Sequence, residues 1–493
     1  MRAWARCHEI GMLWRTAPTL FPPNEEKEGR FMEPGGDGCP ACQLLMGCGA
    51  PCVAYGWVSP LGDFGERMML EQPSWERAPI SWCIRPCFNM IPTLILQTWL
   101  LSLMSLGIVG AAAYFGYKWQ QACWGWDPVL SVSVFTPNWG FNGQTALLLA
   151  AVLMLLLTLW GGGIIGAVLR VIRPAKGNTA KDPRNAPIPL AQHHLKRPDG
   201  SGLYVEVHGT ADGIPLVLTH GWGLHGAEWN DLKRDLGDRF RLIVWDEPGL
   251  GRSSRPSNRD YSIEKLSHDL HAVVEFAGGG KTPVVLVGHS IGGMINLTFC
   301  RLYPAFLGTK VMGIVLTHTT PTNPTRTTSR AALYTALETP VLRPLMYLTI
   351  ALSPLLWILN WLAYRNGLAH LSVMRGSFAG TETWEQVDFA AGFQTQASPA
   401  VVARGMLGMM SYDALPTLPA IGIPALIVAA DKDSTTLPEA SKVMEANIPN
   451  ARMMTLSPAK HLGLIEHHQT FALAVSEFAY MCRAKWSGGI EKQ

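Results

Sequence analysis

Charged residues are scarce in this chain. Asp, Glu, Lys and Arg make up 16% of its 493 residues, whereas 48% are hydrophobic. A typical soluble domain carries about 25% charged residues, so this composition indicates a membrane segment or a large buried portion. The formal net charge is only +3 and no long basic run is present, so nothing in the sequence indicates a nucleic-acid partner.

Cysteine is nearly absent from the C-terminal part of the chain. Beyond residue 200 only Cys300 and Cys482 occur. Two cysteines in so long a segment exclude a disulfide framework there, and this suits a reducing compartment.

Residues 1–90 lack both a helical and a strand period, and they mix Trp, Pro, Gly and Cys. Cys39, Cys42, Cys48 and Cys52 have part of the spacing of a zinc site, but no histidine follows at zinc-finger spacing. We therefore expect a disordered leader without a metal. Met90 is an alternative natural start, which would leave this leader outside the protein.

Two long stretches contain no charged residue, at positions 91–117 and 145–169. Each exceeds the roughly 20 residues that a helix needs to cross the hydrocarbon core of a bilayer. Arg170, Arg173 and further basic residues follow the second stretch, which places that flank in the cytoplasm by the positive-inside tendency. The sequence predicts an integral membrane protein with a transmembrane helical hairpin over 91–172. The alternative is a helix pair buried in a soluble protein.

Residues 173–200 are rich in Pro, Asn and Lys, which is typical of a linker. From Gly202 onward, short apolar stretches alternate with polar, helix-like ones. This alternation predicts a mostly parallel sheet with helices on both faces. The predicted strands are residues 203–207, 215–219, 241–245, 284–287, 312–316, 425–429 and 452–456.

One predicted strand runs into Gly288-His289-Ser290-Ile291-Gly292, and a helix-like stretch follows. A serine between a strand and a helix requires a turn so sharp that Gly288 and Gly292 are needed to avoid clashes. Such a turn presents the serine hydroxyl above the sheet. Ser290 is therefore a candidate nucleophile, which needs a base and an acid to orient that base.

Candidates for both partners follow the last two predicted strands. His461 comes directly after the last strand, and Asp431 and Asp433 come after the strand before it. The order Ser, Asp, His is the one that accompanies a serine in a strand–turn–helix motif. His461 is the candidate base, and on chain order alone either aspartate can be the acid.

The reaction also needs hydrogen-bond donors for a developing oxyanion. His220-Gly221-Trp222-Gly223 follows the strand at 215–219, where a glycine-rich loop lets a backbone N–H approach the substrate. We expect the N–H groups of Trp222 and Ile291 to be the donors, with His220 and Gly221 supporting the loop. This chemistry requires neither a metal nor an organic cofactor.

Together these motifs resemble the α/β-hydrolase superfamily, in its serine-nucleophile lipase and esterase branch. The resemblance covers about residues 202–480 and implies an α/β-hydrolase core at 201–320 and 421–485. It favours Asp433 as the acid, because Ala430-Asp431-Lys432-Asp433 resembles the family's G-x-x-D turn; Asp431 stays the alternative. The matching stretches are the HGWG loop at 220–223, the DEPGLGRS turn at 246–253, the GHSIGG elbow at 288–293, the acid turn and His461.

Roughly a hundred residues separate the predicted strands at 312–316 and 425–429, far more than an ordinary connection. In the superfamily such an insertion forms a helical cap, which we place at 321–420. Within it, residues 341–362 carry one charge, and Pro354 would break or kink a helix. Two packed cap helices are one interpretation, and a cap that dips into the bilayer is the other.

The charge-free stretches, the apolar cap and this resemblance together predict a membrane-anchored serine hydrolase that cleaves apolar or lipid-like carboxylic esters through an acyl-enzyme. The basic flank of the second stretch predicts that the hydrolase domain lies in the cytoplasm. Other chemistry of the same triad stays open: acyl transfer, peracid formation, or hydrolysis of amide or carbon–carbon bonds. A hypothesis from another class is a membrane scaffold without catalysis. The sequence does not indicate an oligomeric state.

Overall fold

The computed structural model describes residues 94–172, 182–278 and 283–490. The predicted leader at 1–90 with its cysteine cluster, the first residues of the first apolar stretch, and part of the predicted linker lie outside the described residues. Everything below concerns the described ranges.

Two long helices form a hairpin at the start of the described chain. Helix α1 spans Leu94–Cys123 and α2 spans Gly143–Ile172, and a short antiparallel ribbon of β1 (Trp124–Asp127) and β2 (Val132–Phe135) joins them. The side chain of Asn142 accepts the N–H groups of Gln144 and Thr145, which caps the start of α2. By length and composition, both helices are long and apolar enough to cross a membrane.

The C-terminal part contains one sheet of eight strands in the order β10-β9-β8-β7-β5-β6-β4-β3. Strands β5 to β10 pair in parallel, and β3 and β4 are antiparallel at one edge. The predicted mostly parallel sheet is confirmed. The strands are β3 (Ala191–Lys196), β4 (Gly202–Gly209), β5 (Ile214–Thr219), β6 (Phe240–Trp245), β7 (Val284–His289), β8 (Val311–Thr317), β9 (Ala425–Ala430) and β10 (Ala451–Leu456).

Strand β3 lies where the sequence predicted a linker. Its sequence, AQHHLK, has little apolar character, and four of its six residues are exposed. An edge strand pairs on one side only, so it needs no continuous apolar run. The hydrogen bonds to β4 define this strand, because its sequence has no hydrophobic period.

Helices cover both faces of the sheet, as predicted. The helices outside the hairpin are α3 (Asn230–Leu236), α4 (Ile263–Gly278), α5 (Ile291–Leu302), α6 (Ala331–Leu337), α7 (Arg343–Ala351), α8 (Ser353–Arg365), α9 (Leu368–Ser377), α10 (Trp384–Gln396), α11 (Pro399–Met409), α12 (Pro438–Asn447), α13 (Gly463–Glu466) and α14 (His468–Ile490). Apolar side chains of α4, α5 and α12 pack on one face, and those of α3 and α14 on the other. Both faces are buried, which explains why the parallel strands are almost continuously apolar.

Helices α6 to α11 form the insertion between β8 and β9. The helical segment Ala331–Ala351, which ends with α7, meets α8 at an angle of 93°. Pro354 lies in the first turn of α8, so the chain breaks where that proline predicts. The insertion also packs on the hairpin: Asn366, directly after α8, donates its side-chain N–H to Ser105 Oγ of α1 at 3.0 Å. Helix α2 also lies close to this residue of the insertion, because a methyl group at Gly161 would overlap the Asn366 carbonyl.

Candidate active site

Ser290 lies in the sharp turn between β7 and α5. Its backbone has φ 53° and ψ −115°, a left-handed conformation that costs free energy for any residue with a side chain. A methyl group at Gly288 would overlap the backbone of Gly292, and one at Gly292 would overlap the Thr219 carbonyl. The two glycines therefore make the turn possible. The Ser290 N–H donates to the Thr317 carbonyl at 2.9 Å, which fixes the turn on β8.

The turns after β9 and β10 bring two further groups to Ser290. His461 Nε2 lies 3.1 Å from Ser290 Oγ, and His461 Nδ1 lies 2.8 Å from Asp433 Oδ2. Asp433 is buried and also accepts the N–H groups of Thr435 and Thr436 and the Thr436 hydroxyl. The three predicted triad residues thus form one hydrogen-bonded chain.

Asp431, the alternative acid, lies elsewhere. Its carboxylate accepts the Ser457 hydroxyl and the Ala459 N–H, each at 2.8 Å. Both partners lie in the segment that leads from β10 to His461, so Asp431 anchors the loop that carries the base. Among the described residues, the ion pair of the His461 ring is with Asp433 and not with Asp431.

Burial and the charge of the partner shift the pKa values of Asp433 and His461 in opposite directions. Burial alone would raise the pKa of the Asp433 carboxyl, but the His461 ring holds that pKa below its ordinary value. Burial would likewise lower the pKa of His461, and the Asp433 carboxylate outweighs it and raises that pKa above its ordinary value. The pair therefore favours a negative Asp433 that stabilises a proton on His461. A base that accepts the proton of a serine needs this support.

The loop after β5 lies beside Ser290 and is fixed by buried polar groups. His220 accepts the Glu247 N–H at its Nε2 (3.0 Å) and donates from Nδ1 to the Gly221 carbonyl (2.9 Å). The indole of Trp222 donates to the Val402 carbonyl at 2.9 Å, which links this loop to α11. Ile291 is the first residue of α5, so its N–H has no acceptor within the helix. Ile291 thus directly follows Ser290 in the chain, and Trp222 lines the same cavity as Ser290.

Comparison with known proteins identifies the family of this chain. Residues 216–474 match the profile described as "Alpha/beta hydrolase family", which is more than half of the chain. The chain belongs to the alpha/beta hydrolase family. The match begins in β5 and ends in α14, so it includes the insertion and all the predicted site residues of this hydrolase.

Individual relatives of the hydrolase match over shorter segments. A pimeloyl-[acyl-carrier protein] methyl ester esterase of Methylococcus capsulatus is 39% identical over 103 residues, which is 21% of this chain and 37% of the relative. Lipase 1 of Psychrobacter immobilis is 33% identical over 102 residues, 21% of this chain and 31% of that protein. This chain thus spans less than half the length of these curated relatives.

Two solved structures illustrate the similarity in three dimensions. A thermophilic esterase from Thermogutta terrifontis has a TM-score of 0.48 and 22% identity, and the match covers 59% of this chain and 99% of that chain. A structure described as a membrane phospholipase A has a TM-score of 0.47 and 19% identity, and the match covers 69% of this chain and 96% of that one.

Three buried side chains near Ser290 and His461 had no predicted role. His289 and His318 each place a ring nitrogen 3.0 Å from the His461 carbonyl, where an N–H donates to it. Burial lowers the pKa of His318 to about 3, so its ring is neutral at ordinary pH. Glu228 accepts the Gly221 N–H at 2.8 Å, and its other oxygen lies 2.5 Å from His289 Nδ1. The loop at 220–223, the elbow at 288–293 and His461 are thus connected by buried polar side chains.

A cavity of about 260 Å³ opens at Ser290 and His461. Its lining is mostly apolar, and helices of the insertion contribute much of it. The first turns of α1 also contribute, which the sequence did not predict. Polar lining residues come from the insertion and from the turn that carries Asp433; they include Thr325, Thr328, Ser434, Thr435 and Thr436.

Proposed function

We propose that this chain is a membrane-anchored serine hydrolase that cleaves carboxylic esters with apolar acyl groups. One observation carries the proposal: Ser290 Oγ, His461 and Asp433 form a hydrogen-bonded chain with separations of 3.1 and 2.8 Å. This chain of groups opens into a mostly apolar cavity. The separations are those of a nucleophile, a base and an orienting acid in working geometry.

Acylation is the first half of the proposed reaction. Ser290 Oγ attacks the ester carbonyl carbon while its proton passes to His461 Nε2. The carbonyl oxygen becomes an oxyanion, which the N–H groups of Trp222 and Ile291 stabilise; one such donor is worth about 2.7–4 kcal/mol at the transition state. The carbon–oxygen bond to the alcohol then breaks, and the alcohol leaves with the proton from His461. Asp433 remains ionised throughout.

Deacylation repeats these steps with water. His461 takes a proton from a water molecule, and the resulting hydroxide attacks the acyl-enzyme carbonyl. The bond to Ser290 Oγ breaks, Oγ regains the proton from His461, and the carboxylic acid is released. No cofactor enters this scheme.

The membrane part of the proposal rests on the hairpin of α1 and α2. Both helices are longer than the hydrocarbon core of a bilayer is thick, and basic residues follow α2 in the sequence. A topology experiment tests it with two exposed positions. Asn138→Cys, between the helices, should react with an impermeant maleimide added to intact cells. Asn258→Cys, in the hydrolase domain, should react only after the membrane is permeabilised; equal reaction of both in intact cells contradicts this topology.

Hydrolysis of p-nitrophenyl esters of increasing chain length tests the chemistry. The full-length protein should hydrolyse them, and Ser290→Ala should lose at least about 10³-fold in kcat, as expected when a nucleophile is removed. Product analysis separates hydrolysis from acyl transfer, peracid formation and cleavage of amide or carbon–carbon bonds. Turnover that is unchanged in Ser290→Ala would refute the proposal.

A further inference from the structure

Helix α1 forms part of the cavity wall as well as part of the hairpin. Its first residues, Leu94, Ile95, Gln97 and Thr98, line the cavity that opens at Ser290. We call residues 220–223, which carry the proposed oxyanion donor Trp222, the oxyanion loop. A methyl group added to Gly223 in this loop would lie 3.7 Å from Leu94 Cδ2. The helix therefore starts beside the oxyanion loop, and its first turns form part of the cavity wall.

This wall is held in place by several specific contacts. Ile95 is 1% exposed and lies in an apolar cluster with Leu342 and Met346. The indole of Trp99 donates to Thr349 Oγ1 of α7 at 2.8 Å. Gln97 donates to Ser372 Oγ of α9 at 2.5 Å. Contacts to two different helices of the insertion, on opposite sides of α1, fix both its rotation and its depth.

Flexible, apolar side chains adjoin the α1 wall. Met346 of α7, Met406 and Met409 of α11, and Met410 directly after it line the cavity. Methionine is unbranched and fills irregular space, so a surface built from it adapts to chains of different shape. A short acyl group contacts little of such a surface, whereas a long alkyl chain buries one methylene after another, and each strengthens binding about fourfold.

We propose that the first turns of α1 and the methionines of α7 and α11 form an acyl-chain subsite. The ligand class is a long, flexible alkyl chain, and the α1 wall sets the longest chain that fits. This inference rests on the proposed ester hydrolysis and adds the part of the substrate that the subsite selects. It makes a membrane helix a determinant of substrate specificity and not only a tether.

The test varies cavity size on both walls. Thr98→Phe places a larger side chain on the α1 wall, and Met346→Ala removes side-chain volume from the adjoining α7 wall. The matched control is Leu103→Phe on the same helix, where the native side chain is 59% exposed. The readout is the ratio of kcat/KM for p-nitrophenyl dodecanoate to that for the butyrate.

Thr98→Phe should lower this ratio at least about tenfold, because each excluded methylene forfeits about a factor of four in binding. Met346→Ala should move the preferred chain length upward, and Leu103→Phe should leave the ratio unchanged. A Thr98→Phe protein that hydrolyses butyrate and keeps the native ratio would overturn the subsite. The Met346→Ala result still decides the matter if Thr98→Phe does not fold.

A binding measurement separates failure of the subsite from failure of the proposed function. In Ser290→Ala protein, the fluorescence of cis-parinaric acid reports occupation of the cavity without turnover. Adding Thr98→Phe should weaken binding at least tenfold, and adding Leu103→Phe should not. Equal binding in both double variants contradicts the subsite. Selective weakening in a protein whose parent hydrolyses no ester would retain the subsite and reject ester hydrolysis.

Discussion

Replacing Asp433 by asparagine should remove most of the activity while leaving the turn intact. Asp433 Oδ1 accepts two backbone N–H groups, from Thr435 and Thr436, and the amide oxygen of asparagine can keep both bonds. The amide nitrogen then takes the place of Oδ2, which faces His461 Nδ1 at 2.8 Å. A donor at that position forces Nδ1 to accept, so the proton moves to Nε2. His461 can then no longer take the proton of Ser290.

The expected magnitude follows from this change of tautomer. Replacing a triad aspartate by asparagine lowers turnover about 10⁴-fold, which is about 5 kcal/mol of transition-state stabilisation at 1.36 kcal/mol per tenfold. The assay is kcat on p-nitrophenyl butyrate, with the thermal unfolding midpoint measured in parallel. The unfolding midpoint should change little, because the backbone bonds to the turn survive.

Asp431→Asn is the matched control. Asp431 is exposed and bonds to Ser457 and Ala459, and asparagine can keep a hydrogen bond to each. The loss in kcat should stay below about tenfold, since one neutral hydrogen bond is worth about 1 kcal/mol. A loss of 10³-fold or more in Asp431→Asn, with activity retained in Asp433→Asn, would refute the assignment of the acid.

Three further predictions use the same ester assay. Because the pKa of His461 is raised and the base must be neutral, kcat/KM should rise with pH with a midpoint above the ordinary histidine value of about 6.5. Glu228→Gln removes the charge beside His289 and should lower kcat about 10- to 100-fold with little change in KM, as expected for about 1.5–3 kcal/mol. Gly405→Ala should lower both the unfolding midpoint and kcat, because the added methyl group would overlap the buried Trp222 ring.

Each of these three predictions has a control or a result that would contradict it. In Asp433→Asn protein the pH midpoint should fall, since the carboxylate that raises the pKa is gone; an unchanged midpoint would assign the titration to another group. An increase in KM alone for Glu228→Gln would contradict a role in positioning the loop and the base. Gly392→Ala serves as the control for Gly405→Ala, because a methyl group there meets only Gln396 Nε2, at 3.8 Å.

The elbow could be predicted from sequence because its cause is local. The left-handed backbone of Ser290 and the close approaches at Gly288 and Gly292 allow few residue types at these positions. The sequence motif alone therefore indicates the sharp turn. Fully buried strands such as β7 and β9 were predictable for a similar reason, since burial on both faces produces a continuous apolar run.

Other features depend on contacts between distant segments and leave little trace in the chain. Glu228 and His289 meet only because β5 and β7 are neighbours in the sheet. The exposed strand β3 is defined by its pairing and has no period to detect. Leu94 at the cavity and Leu103 on the exposed side of α1 are the same residue type, so hydropathy alone cannot show which end of a membrane helix lines a site.

The central claim is that Ser290 is a nucleophile activated by His461 and Asp433. The most direct test treats the full-length protein with a fluorophosphonate and measures intact mass, followed by peptide mapping. The proposed function predicts one adduct per chain, located on Ser290, that is absent in Ser290→Ala and forms at least about 10²-fold more slowly in Asp433→Asn, whose base carries the wrong tautomer. A native protein that forms no adduct, or one that is labelled equally in Ser290→Ala, would contradict it.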